Sequence, residues 1–128
     1  MVAAPQESAP LVLVIDDLED NRDLYEHGLR HQGFRVATAS DGQDGLAKAV
    51  TLQPHAIILD LGLPGMDGWE VARRLKGSEE TKTISVIALT GHVTKEARAT
   101  ALAAGVDEFC TKPCPPADLA AVIRRHLK

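Results

Sequence analysis

The chain has 128 residues, 45% of them hydrophobic and only 3% aromatic, with 18 acidic against 14 basic side chains for a formal charge of −4. That length fits one domain able to bury a core without disulfides or a structural metal, and the core must be built chiefly of Ala, Val, Leu and Ile. The acidic balance argues against nucleic acid as the main partner, because such binding rests on a basic footprint.

Residues 1–10, MVAAPQESAP, lack a basic region followed by an apolar run and so do not read as a signal peptide. Their composition predicts a short disordered tail ahead of a single domain over residues 11–128. No apolar stretch approaches the roughly 20 residues needed to cross a bilayer, so a cytoplasmic protein without a membrane partner is the default expectation.

The run Leu11-Val12-Leu13-Val14-Ile15 is continuous and apolar, as in a strand covered on both faces, and stops at Asp16-Asp17. A helix is expected from about Glu19 to His31, with Leu24, His27 or Gly28 and Arg30-His31 spaced along it, and Gly33 to end it. Phe34 to Ala39 alternates and reads as a second strand near an edge; Ser40-Asp41-Gly42 is its turn, and Gln43 to Thr51 an Ala-rich helix ending before Pro54. Ala56-Ile57-Ile58-Leu59-Asp60 is a second apolar run closed by an aspartate, after which Gly62, Pro64, Gly65 and Gly68 mark a loop. Trp69 to Lys76 supplies a helix, and Ile84 to Leu89 a fourth strand ending at Thr90-Gly91. Lys95 to Ala104 forms a helix closed by Gly105, and Val106 to Thr111 a short fifth strand leading into Lys112-Pro113. Pro116 to Leu127 forms the last helix, with Pro116 suited to its first turn. Five strands alternating with five helices specify the α/β class with a parallel sheet.

Two cysteines, Cys110 and Cys114, lie four apart with no metal-ligand spacing around them. They read as free thiols, with a strained local disulfide as the minor alternative. His27 and His31 stand at i, i+4, a spacing that could hold a metal, but no third ligand or H-E-x-x-H pattern accompanies them, and a helix surface is the better reading.

In an open α/β sheet, ligands bind outside the carboxyl ends of the strands. Here those ends carry Asp16-Asp17, Asp60, Thr90 and Lys112. Three clustered carboxylates repel one another unless a cation offsets them, and a hard divalent ion with oxygen ligands, Mg²⁺ in particular, suits the set. An Asp carboxylate can then act as nucleophile toward phosphorus to give an acyl phosphate. A Lys with Mg²⁺ is the usual means of stabilising a transferring phosphoryl group.

At these residues the sequence resembles the response-regulator receiver domain of two-component signalling, over about Leu11 to Lys128. The resemblance is carried by V-I-D-D at 14–17, I-I-L-D-L-G-L-P-G-M-D-G at 57–68, A-L-T-G at 88–91 and F-C-T-K-P at 109–113. It implies a doubly wound (βα)5 flavodoxin-like fold with strand order 2-1-3-4-5. It implies that Asp60 is the phosphoacceptor, that Asp17 binds Mg²⁺ directly and Asp16 largely through water, and that the Gly62 backbone carbonyl is a further ligand. Lys112 would pair with the phosphoryl group, its cis bond to Pro113 holding the loop. Thr90 would swing toward the phosphoryl oxygens and make room for Phe109 to move inward; Phe109 lacks the hydroxyl of the frequent Tyr. Gly62 and His92, each two residues beyond a site residue, occupy positions that tune phosphoryl lifetime in the family.

The implied partners are a histidine kinase or histidine phosphotransfer protein as donor, and an output protein on the face of the fourth helix, fifth strand and fifth helix. The same face would support a phosphorylation-dependent dimer of an otherwise monomeric chain. The domain would catalyse its own phosphorylation and slow dephosphorylation rather than act as a conventional enzyme. Two rivals carry different features. A non-phosphorylated pseudo-receiver docking module would keep the fold without the complete acidic, Thr and Lys set. A flavodoxin-like cofactor binder would need a phosphate-cradling loop where this chain has Asp16-Asp17-Leu18-Glu19-Asp20.

Overall fold

Uninterrupted apolar runs are stable only where both faces are covered, and in the computed structural model the two such runs lie at the centre of a sheet. The structure describes residues 9–61, 68–91, 99–100 and 102–127. Its elements are β1 (Leu11–Ile15), α1 (Glu19–His31), β2 (Arg35–Ala39), α2 (Gly42–Leu52), β3 (Ala56–Asp60), α3 (Gly68–Gly77), β4 (Ser85–Thr90), β5 (Glu108–Thr111) and a last helix, α4 (Pro116–His126). The strands form one sheet of order β2-β1-β3-β4-β5, all neighbours parallel. This is the doubly wound order expected, and β2 is at an edge as its weaker apolar pattern requires.

Period-two alternation splits the core in two. Leu13, Ile15, Ile57, Leu59, Val86 and Ala88 pack with Ala49 of α2 and Val71, Ala72 and Leu75 of α3. On the opposite face, Val12, Val14, Ile58, Ile87 and Leu89 pack with Tyr25 and Leu29 of α1 and with Leu119, Ala120 and Ile123 of α4. The buried stripe of α1 is therefore Tyr25 and Leu29, whereas Leu24 is 54% exposed. Gly33 ends α1 at φ 98°, a left-handed conformation that suits glycine, and the Phe34 amide then reaches back to the Leu29 carbonyl at 3.1 Å.

Several boundaries differ from the sequence expectation. Gly68 opens α3 rather than closing a loop. β2 begins at Arg35, and β4 runs from Ser85 through Thr90. β5 begins at Glu108 rather than Val106, because the Asp107 carboxylate accepts from the Val86 amide at 2.8 Å, and a side chain there takes a ladder bond. Lys76 seals this corner, 2.6 Å from Asp107 and 2.8 Å from the Ile84 carbonyl. Of the helix expected over Lys95–Ala104, residues 99–100 and 102–103 are helical and the rest lies mostly outside the described residues, so four helices are described where five were expected. Among the described residues no helix is long and apolar enough to cross a membrane.

β5 and α4 are also joined by Glu108, whose carboxylate contacts His126 Nε2 at 2.8 Å and Arg125 Nη2 at 2.9 Å. The hydrogen bond from His126 first, then that from Arg125, hold its carboxyl below the usual range. Glu108→Gln is accordingly expected to cost about 0.5 kcal/mol near neutral pH. A depressed carboxyl contributes stability that is present above its unfolded pKa and fades as pH falls through the folded value. Urea midpoints of wild type and variant should therefore differ at neutral pH and converge in acid; a gap that persists in strong acid rules this linkage out.

Candidate functional site

Strand register brings the candidate residues together. Ile15 pairs with Leu59, so Asp16 and Asp60, the next residue of each strand path, stand abreast. Asp60 pairs with Leu89, which sets Thr90 one residue further along the neighbouring strand, and Thr90 pairs with Thr111 immediately before Lys112. Parallel strands lie about 4.8 Å apart, so residues far apart in sequence become neighbours at one sheet end.

The acidic centre is tight. One carboxylate oxygen from each of Asp16, Asp17 and Asp60 falls within 4.8 Å of the others. Asp16 is 1% exposed and Asp60 7%. Burial, above all, pushes the Asp16 carboxyl above its ordinary range, and the Asp60 charge adds to this. The Leu18 amide, Lys112 and Asn21 oppose the shift. Lys112 Nζ stands 3.3 Å from Asp60 Oδ2, and the Lys112 amide donates to the Thr90 carbonyl at 2.7 Å. The Lys112–Pro113 bond is cis, as the sequence resemblance implies.

These donors fit Mg²⁺: hard oxygen ligands in a negative pocket whose mutual repulsion a divalent ion would relieve. Thr90 is buried at the end of β4. Phe109 pairs with Ala88 and packs, half-buried, on the same core face as Ala88. By strand alternation Thr90 projects to that face too, which makes Thr90 and Phe109 diagonal neighbours. Gly62 and His92 lie outside the described residues.

The structure also draws in residues that the sequence pattern did not single out. Asn21 Nδ2 donates to Asp16 Oδ2 at 3.2 Å, and Arg22 Nη1 donates to the Asp16 carbonyl at 2.9 Å. Both face the site because α1 starts directly after β1, a placement visible only once the helix phase is known. Gly68, read from the sequence only as a loop marker, has a structural part here as well. A Cβ there would meet Leu61 Cα at 2.5 Å and the Asp60 carbonyl oxygen at 3.0 Å, backbone atoms that cannot step aside cheaply. Glycine thus lets α3 start against the strand end that carries Asp60.

His27 and His31 are exposed on α1 and join no metal cluster among the described residues, in keeping with a helix surface. Cys110 and Cys114 are free thiols. Burial, chiefly, pushes Cys110 up to about 11 and Cys114 above its ordinary range, so neither is primed as a nucleophile.

A family model described as the response regulator receiver domain matches residues 12–124. The chain is 36% identical over 121 residues to the transcriptional regulatory protein PrrA of Mycobacterium tuberculosis, covering 94% of this chain and 51% of that protein. It thus spans about half the length, or less, of the first curated relatives it matches. The chemotaxis protein CheY4 of Vibrio cholerae superposes with a TM-score of 0.89 at 30% identity, covering 94% of this chain and all of that one. The receiver domain of the sensor histidine kinase PA1611 of Pseudomonas aeruginosa, solved with a magnesium ion in its active-site cleft, superposes at 0.84 with 29% identity, covering 92% of this chain and 97% of that one.

Proposed function

The chain belongs to the response regulator receiver domain family of two-component signalling, and from its site we propose that Asp60 accepts a phosphoryl group and that this switches the domain between two conformations. The observation that carries the reading is the convergence of three carboxylates within 4.8 Å, with Lys112 3.3 Å from one of them. A non-phosphorylated docking module has no use for so repulsive a cluster, which costs stability unless a cation and an incoming group employ it.

In the proposed step an Asp60 carboxylate oxygen attacks the phosphorus of a phosphohistidine on a histidine kinase or phosphotransfer protein. The P–N bond breaks, the imidazole leaves, and an acyl phosphate forms on Asp60. Asp16, Asp17, Asp60 and the Gly62 carbonyl would hold Mg²⁺, which when bound supplies charge neutralisation for the carboxylates and the transferring group. Lys112, already beside Asp60, offers its ammonium to the phosphoryl oxygens. Thr90 can donate its hydroxyl to the same group, and its diagonal relation to Phe109 supports their coupling as a switch. Gly62 and His92 would set how long the acyl phosphate survives hydrolysis. New contacts to the phosphoryl group then bias a pre-existing equilibrium. The face including β5 and α4 would report this to an output partner or to a second copy of the chain.

This reading takes residues 11–128 as the receiver, and its test needs no partner. Wild-type protein incubated with acetyl phosphate and Mg²⁺ should gain the mass of one phosphoryl group, and EDTA should prevent the gain. An unchanged mass in a folded, Mg²⁺-binding sample would favour the docking module instead.

A further inference from the structure

Two side chains of α1 that the proposed chemistry does not use lie one helical turn apart and reach opposite ends of the site. Asn21 donates to Asp16 Oδ2 at 3.2 Å, while the Leu18 amide donates to Asp16 Oδ1 at 3.0 Å. Both carboxylate oxygens of Asp16 are thus tied, which fixes the rotamer of a buried charge. Four residues on, the Tyr25 hydroxyl, in a buried setting, donates to the Cys114 carbonyl at 2.9 Å. Cys114 is two residues beyond Lys112, so this bond anchors the turn from which the lysine reaches Asp60. Residues i and i+4 share a helix face, and Asn21, Tyr25, Lys112 and Cys114 line one groove beside the site.

We propose that Asn21 and Tyr25 are the positioning residues of this site, Asn21 holding the Asp16 carboxylate for the metal and Tyr25 holding the turn that carries Lys112. The inference rests on the phosphoacceptor reading above. One helix face thereby sets the spacing between the acidic end and the cationic end of the pocket. The two roles separate experimentally, because one acts on metal binding and the other on transfer.

The test compares wild type, Asn21→Ala and Tyr25→Phe in two measurements: Mg²⁺ affinity by calorimetry without a phosphodonor, and the rate of phosphoryl gain from acetyl phosphate at saturating Mg²⁺. Asn21→Ala is expected to weaken Mg²⁺ binding about tenfold, as loss of a residue orienting a metal ligand does, with its rate at saturating Mg²⁺ close to wild type. Tyr25→Phe is expected to slow phosphoryl gain about tenfold through misplacement of Lys112, without any weakening of Mg²⁺ binding. A merely structural role would shift both measurements together with the urea midpoint. Should Asn21→Ala fold poorly, Asn21→Leu removes the donor at similar size and carries the same expectation. Wild-type Mg²⁺ affinity in the Asn21 variants overturns the first half, and a wild-type rate in Tyr25→Phe overturns the second. A wild type that gains no phosphoryl group sinks the phosphoacceptor reading and the Tyr25 half with it, while the calorimetry still decides Asn21.

Discussion

Asp60→Asn is expected to abolish phosphoryl gain from acetyl phosphate altogether. The amide is near-isosteric with the carboxylate but offers no anionic oxygen to attack phosphorus, so the acyl phosphate cannot form. The same change removes one of three charges clustered within 4.8 Å, and Mg²⁺ affinity should drop by about 10- to 100-fold. The fold should survive, because Asp60 ends a strand whose preceding residues are all buried and apolar. Intact mass, calorimetry and a urea melt read the three expectations separately. An adduct that persists in the variant at the wild-type rate would place the acceptor on another carboxylate.

Lys112→Met should move two measurements in opposite directions. The ammonium, 3.3 Å from Asp60 Oδ2, is placed to meet negative charge on the transferring group. Losing such a donor typically costs 10²–10³ in rate, so phosphoryl gain should slow by about a hundredfold. Yet Lys112, beside Asp60, would also compete with a bound Mg²⁺ for that carboxylate. Removing a positive charge from this partly buried pocket lowers the repulsion felt by Mg²⁺; at 4 Å and an effective dielectric of 20 such repulsion is about 4 kcal/mol between unit charges and twice that for a divalent ion, before screening. Mg²⁺ should therefore bind several-fold more tightly to a variant that reacts far more slowly. A fall in both affinity and rate would mean that the lysine holds the loop together rather than the charge.

Much of this was legible in the chain because the signals are local. The runs at Leu11–Ile15 and Ala56–Leu59 are apolar without interruption, and only central strands of a covered sheet accept that pattern. Asp16, Asp60, Thr90 and Lys112 each follow or end a strand, so a parallel sheet must gather them on one edge. The boundaries that moved did so where tertiary contacts replaced local rules. Asp107 lends a side chain to the ladder and shortens β5, and Gly68, a loop former by composition, begins α3 because only its missing Cβ lets the helix start against Leu61.

The sequence by itself determined the strand and helix alternation, the apolar centre of the sheet and the identity of the acidic, hydroxyl and lysine residues, since these follow from residue type and period. The tertiary structure alone decided how they meet. The Ile15–Leu59 register sets Asp16 beside Asp60, and the phase of α1 turns Asn21 and Tyr25 toward the site while leaving Leu24 in solvent. Register and helix phase are fixed by which side chains the whole core can bury at once, a condition that no single stretch of sequence contains.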